Sequence, residues 1–412
     1  LNNRLTSGLT RWQHLAVFAL TVAIIISRRP DALLNPQFYY EDGFTWYADA
    51  WNLGAAHALL IPAGGYLNTL PRLVCALAIL IPLKSAPLLL NWFGIVIQAL
   101  PVNILLSARC SNWGPPRMRA LQALVYVALP NSGEINVTIT NAHWHLVVAA
   151  LFVAFSNAPR TLAWKIFDVA LMLLVGLTGP WALVLTPLVL VFWWIRRERW
   201  SLVIAGLLAV CALVQMFELI TSGSQRKTVA VLGASFDLFF RLVAGQIFAG
   251  AIWGQNSLAW RAHMVEILVI FAAGSAVLTW GFLKLRLEIK LFIAFSAMIL
   301  AAALRTPLIE GDVSQWHALA MDKGGRYWFF PMLGLVWTLL WAAAQKQQTA
   351  TRMFAIVCLA VMLRAVHHDW HYFPYKDLKF GIYVKQFEAA NPGTTVTIPI
   401  VPVGHFMKLA KR

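Results

Sequence analysis

Eleven mostly apolar stretches recur along the chain, at 13–27, 88–107, 118–130, 142–157, 163–178, 181–195, 200–220, 263–283, 289–304, 328–344 and 351–365. A helix needs about 20 such residues to cross the ~30 Å hydrocarbon layer of a bilayer. The recurrence therefore predicts an all-α, polytopic membrane protein of about eleven spans, with the shorter stretches extending into their flanks. Composition removes the competing classes. Of 412 residues, 60 % are hydrophobic and 12 % charged, against roughly 45–50 % and about 25 % in soluble domains. No soluble core hides that much apolar surface, and a disordered chain lacks it. An outer-membrane barrel alternates apolar and polar residues and has no long apolar runs. The stretch His14–Ile26 has no small-residue cleavage site and reads as a retained first span.

Lys and Arg number 33 against 17 Asp and Glu, a net charge of +16. Cytoplasmic loops and anionic lipid account for such an excess. No basic patch interleaved with aromatics appears, so no nucleic-acid partner is expected. The four cysteines lack metal-ligand spacing and read as apolar fillers.

The run 66–83, with Pro71, Arg72 and Pro82, is ambiguous, and loop charge decides its reading. If it is re-entrant or interfacial and the N-terminus (Arg4, Arg11) is cytoplasmic, every short basic loop falls on one side. These loops carry Arg109, Arg117 and Arg119; Arg160 and Lys165; Arg196, Arg197 and Arg199; Lys284, Arg286 and Lys290; Lys346 and Arg352. That is the positive-inside pattern. The outer segments are then 28–87, 131–141, 221–262, 305–327 and 366–412. A transmembrane domain occupies 1–365, and 366–412 forms a C-terminal outer tail with a strand-like run between Pro392 and Pro402.

Elaborate surfaces carry function, and here they lie outside. The first outer loop reads NPQFYYEDGFTWYADAWN, with Glu41 and Asp42 within about 15 residues of the first span. Either carboxylate can take a proton from an attacking hydroxyl. Tyr40, Trp46 and neighbouring rings can stack on sugars, as can Tyr66 further on. The competing reading is an aromatic belt with a solvated acidic pair. The second outer loop adds Glu134, Asn141 and His143, polar groups at a membrane edge. Trp253 and Gln255 can line a groove or belong to a kinked interface helix. His367, His368, Asp369 and His371 read as an interfacial cluster, with no fourth ligand at zinc spacing. Asp168 lies in a span and calls for a partner inside the bundle.

The pattern FYYEDG…NLG…LLIPAGGYLNTLPRL and the tail NPGTTVTIPIVPVGHFMKL resemble the GT-C superfamily of integral-membrane glycosyltransferases. The likeness is to bacterial members that use polyprenyl-phosphate sugars, of the O-antigen glucosyltransferase type. The resemblance implies a general base at Asp42, with Glu41 tuning or orienting it. It implies a donor sugar on a lipid phosphate, transferred with inversion to a glycan or glycolipid of the cell envelope at the outer face of a bacterial inner membrane. The leaving phosphate needs cations. Arg326, Arg72 and Arg305 are the first candidates, followed by Arg241 and the pair Arg226–Lys227. No cofactor is expected. A divalent metal between Asp42 and Glu134 is the one exception the resemblance allows.

No nucleotide-binding glycine loop and no nucleophile elbow appears. The rivals are a transporter or flippase of a lipid-linked sugar, whose charges would lie near the midplane of two related halves, and a polymerase- or ligase-like transferase.

Overall fold

The computed structural model describes residues 9–222, 230–309, 313–321 and 323–412. Arg4, Arg226 and Lys227, named above, lie outside them. Helix makes up 71 % of the structure, and each of the eleven apolar stretches carries one.

The first helix, Arg11–Arg28, starts at a capping box in which Thr10 and Gln13 bond each other's backbone N–H. Two of the eleven helices, Ala142–Ala154 and Phe329–Ala343, are buried on nearly all sides. A helix apolar all round belongs in the middle of a bundle. Aromatic rings join the two: Trp144 meets Phe330 at 5.4 Å, and Phe152 stacks on Trp337 at 5.7 Å.

Six helices among the described residues are long and apolar enough to cross a membrane: Leu83–Leu106, Arg199–Ser222, Phe236–Trp253, Met264–Lys284, Leu287–Arg305 and Thr349–His368. Five coincide with predicted spans. The sixth corrects the sequence reading, which treated 221–262 as loop. Its polar residues are satisfied within the protein. Asp237 pairs with Arg241 one turn on, and Gln246 donates to the carbonyls of Leu319 and Ala320, each at 3.1 Å. Both flanks of this helix return to one end of the bundle. Gln315 N–H donates to the Val231 carbonyl before it, and Gln255 N–H after it donates to Asp369. The remaining predicted stretches form helices shorter than 18 residues or, for Arg11–Arg28, less apolar ones, so the count of eleven crossings is not fixed by helix length.

The run 66–83 contains only a ten-residue helix, Thr69–Ala78. At 1.5 Å per residue that is about 15 Å, half a bilayer. Its start is tied to the link before Trp181: Gly179 N–H donates to Leu67 O at 2.8 Å. The next helix begins at the same end, where Asn91 Nδ2 bonds Ala32 O. A helix of this length is too short to span a bilayer by itself.

The segments read as outer gather at that end. Arg28 donates to Val127 O and Leu129 O, and Tyr372 N–H returns to Arg28 O. The basic loops gather at the other end. There Arg109 clamps Asp168 through both oxygens, at 2.6 and 2.8 Å, and Trp200 Nε1 joins them. Glu288 binds Arg196 and Asn112. Asp168 thus has its partner in the bundle, as expected.

The tail packs back onto the first loop. Helix Phe380–Ala389 is followed by an antiparallel hairpin, β1 (Thr395–Ile400) and β2 (His405–Ala410), with Ile398 opposite Met407. Just beyond β1, Val401 and the stretch Phe38–Tyr40 exchange backbone hydrogen bonds, and Trp51 Nε1 donates to Ala410 O.

Candidate functional site

The first loop turns sharply at its acidic pair. Tyr40 takes a positive φ of 41°, and Asp42–Tyr47 winds as a π-helix. Single π-turns mark functional positions. Gly43 is closely packed here: a Cβ would stand 3.0 Å from Phe38 Cβ and 3.1 Å from Ile400 Cδ1. The tail hairpin therefore closes directly over the turn that carries Asp42.

Asp42 is 1 % exposed. Its Oδ1 accepts the Thr140 N–H at 2.8 Å and the Thr140 hydroxyl at 2.5 Å. Burial raises its carboxyl from the ordinary 3.8 to about 7. The Thr140 bonds act against that rise, and the Glu41 charge adds to it. A general base works best with a value near the operating pH.

The loop presenting Thr140 is rigidly held. Asn136 is buried, accepts from Gln98, and donates to Ser132 O and the Tyr372 hydroxyl. Asn136-Val137-Thr138 has the form of a glycosylation sequon, but its buried asparagine is inaccessible. Val137 sits at φ 62°, a strained value for a β-branched residue of the kind that clusters at functional sites.

Glu134, in the same loop, is held by Arg326. Oε2 accepts the Arg326 backbone N–H at 3.0 Å, and Oε1 accepts its guanidinium. Arg326 also donates to Leu308 O. Burial opposes its charge, but Tyr327 and Glu134 outweigh burial and hold Arg326 firmly protonated. Asn141 Nδ2 donates to Glu134 O, and His143 Nδ1 accepts from Trp181 Nε1.

A stacked tyrosine pair lies near both carboxylates. Tyr39 and Tyr375 rings lie 5.1 Å apart. Tyr39 feels the charge of Glu134 and Tyr375 that of Asp42. Burial pushes the Tyr375 hydroxyl up to about 12, against the pull of Arg29, which donates to that hydroxyl.

Trp46 Nε1 donates to Thr140 Oγ1 at 3.0 Å, and its ring lies 5.0 Å from the Arg72 guanidinium. Arg72 is buried against Asp49 at 3.1 Å, and its Nε and Nη2 carry no hydrogen-bond partner. Tyr40, Glu41, Asp42, Trp46 and Arg72 thus form one group, joined through Thr140 to the loop bearing Glu134 and Asn141, which Arg326 holds through Glu134 and which His143 follows at the start of the next helix.

Three predicted regions stand apart from it. Tyr66 pairs with Ala63 in the turn before Thr69–Ala78. Trp253 is half-exposed, and Gln255 is tied to Asp369. Arg305 lines a small cavity of about 150 Å³ with Leu232, Leu308 and Gln315. Asp369 is a structural hub, accepting from the backbone of Asn131 and Gln255 and pairing with His368. No group of three His, Cys, Asp or Glu residues suited to a metal occurs among the described residues, and Glu134 is taken by Arg326.

Sequence reasoning missed Thr140, Tyr375 and Arg29. Thr140 stood in a loop already marked as polar. Tyr375 and Arg29 gave no sign, since nothing local to either points to a partner 346 positions away. No protein-family model matches this chain, and no curated protein matches its sequence.

Proposed function

We propose that this chain is a GT-C-type membrane glycosyltransferase with eleven crossings, its basic loops cytoplasmic and its loop-rich end on the outer face of a bacterial inner membrane. It moves a sugar from a polyprenyl-phosphate donor to a glycan or glycolipid acceptor of the cell envelope. Asp42 takes the proton of the acceptor hydroxyl. The acceptor oxygen bonds to the anomeric carbon from the face opposite the leaving group. The bond from that carbon to the phosphate oxygen breaks, and the lipid phosphate departs. One displacement inverts the configuration.

The observation that carries this reading is Asp42: a buried carboxylate raised to about 7 on a π-turn between two loops and the tail. Perturbed carboxylates of this kind cluster at functional sites. Arg326 supplies charge for the leaving phosphate, which would exchange with Glu134 on the guanidinium. Arg is suited to such two-point phosphate recognition. Because Asp42 is covered, the acceptor reaches it only after the first loop, the 131–141 loop or the tail gives way.

The test uses protein in lipid nanodiscs, a panel of radiolabelled polyprenyl-phosphate hexoses and a crude envelope-glycan acceptor. Wild type should label the acceptor and Asp42→Asn should not. Transfer by neither protein would overturn the reading and direct the next assay to lipid scrambling. Transfer by both would remove Asp42 as the base.

A further inference from the structure

We propose that Thr140 is the positioning residue of this site, its hydroxyl and backbone N–H together favouring the ionised form of the Asp42 carboxyl and fixing it in one orientation. The inference rests on reading Asp42 as the base.

The geometry has one polarity. An indole N–H is a donor only, so Trp46 Nε1, 3.0 Å from Thr140 Oγ1, occupies a lone pair of that oxygen. The single hydroxyl hydrogen then points to Asp42 Oδ1, 2.5 Å away. The backbone N–H of Thr140 reaches the same Oδ1 at 2.8 Å. Two donors on one oxygen fix the carboxylate plane and leave Oδ2 as the oxygen Thr140 does not engage. Hydrogen bonds to the charged form favour that form. Trp46 and Asp42 lie on the first loop and Thr140 98 residues away, so the triad also joins the two loops.

Apart from the Thr140 bonds and a backbone hydrogen bond from Ile139, burial and the Glu41 charge work against charge on Asp42. Its own turn carries Glu41 and Tyr47. The adjoining helices carry Asp49, Arg72 and Cys75, with Arg72 directed at Asp49. The tail contributes Tyr375, His405 and Lys408. Burial and Glu41 raise the carboxyl, and the Thr140 bonds oppose that rise most strongly.

The experiment follows the Asp42 carboxyl directly. Infrared spectra of the full chain in nanodiscs are titrated with pH for wild type, Thr140→Val and Thr140→Ser, with Asp42→Asn identifying the band. Wild type should titrate near 7. Thr140→Val keeps the N–H and loses the hydroxyl, so its midpoint should rise by about one pH unit. Thr140→Ser should match wild type. In transfer assays the rising limb of kcat against pH should move with the midpoint, while donor KM stays constant. An unmoved Thr140→Val midpoint, or a Thr140→Ser midpoint displaced as far as that of Thr140→Val, overturns the proposal. If Thr140→Val does not fold, Trp46→Phe takes its place: it frees the hydroxyl to rotate and should raise the midpoint by a smaller amount, and no rise overturns the proposal. Absence of transfer by wild type with every donor sinks the base reading instead, and the infrared midpoint still decides the role of Thr140.

Discussion

Glu134 and Arg326, 192 residues apart, are joined twice: the Arg326 backbone N–H reaches one carboxylate oxygen at 3.0 Å and its guanidinium the other. The contact locks the 131–141 loop to the segment entering Phe329–Ala343. Its carboxylate acts on Tyr39 and Asp42 acts on Tyr375, the two rings of one stack, so the cation and the proposed base share one neighbourhood.

Arg326→Ala should therefore raise donor KM at least tenfold, and Arg326→Lys should recover only part of the loss, because a lysine cannot reproduce the two-point geometry. Initial rates over a range of lipid-phosphate sugar concentrations check this. An unchanged KM in Arg326→Ala would transfer the role to Arg72 or Arg305.

Asp42 should set the pH dependence of stability. Its folded-state value lies above its unfolded value, about 7 against 3.8. Between those values the native protein keeps a proton that the unfolded chain has released, so this contribution to stability falls as pH rises from 4 to 7 and stays flat above. The whole fall is about 4 kcal/mol. Asp42→Asn should flatten that slope and be at least as stable as wild type at pH 8 while losing transfer. Thermal unfolding in detergent across this pH range measures it. A steep loss of stability in Asp42→Asn would mark Asp42 as structural.

At the opposite end, Arg109→Ala should destabilise the bundle by about 3–5 kcal/mol, the range for breaking a buried ion pair, because Asp168 is fully buried and would lose both hydrogen bonds from Arg109, keeping the one from Trp200. The same variant should leave the pH dependence of transfer unchanged. Unfolding midpoints and pH-rate profiles in parallel separate the two effects.

The tail should be held by the turn it covers. Gly43→Val places a side chain into Phe38 and Ile400, an overpacking that costs about 1–3 kcal/mol. Limited proteolysis should then cut between helix Phe380–Ala389 and β1, where the wild type resists. Equal resistance would mean that Trp51 and Asn52, which bond Ala410 and Lys408, anchor the hairpin without help from that contact.

The sequence by itself determined the helical membrane class and where most helices lie. Hydropathy is a sum over neighbouring residues, and burying apolar side chains dominates their energetics, so stretches such as 200–220 and 263–283 appear as helices within a few residues of their predicted bounds. Loop charge is equally local, which is why the basic loops could be grouped before their common end was known. Phe236–Trp253 escaped this reading because Asp237, Arg241 and Gln246 lower its apparent hydropathy, and the groups that satisfy Gln246 lie more than 70 residues away. The acidic pair at Glu41 and Asp42 was legible from its place after the first span. Only the tertiary structure decided what surrounds Asp42: Thr140 from the second loop, Tyr375 from the tail, and burial deep enough to move a carboxyl from 3.8 to about 7. A proton's affinity depends on the dielectric and the donors around it, and those are assembled here by segments that no local pattern connects.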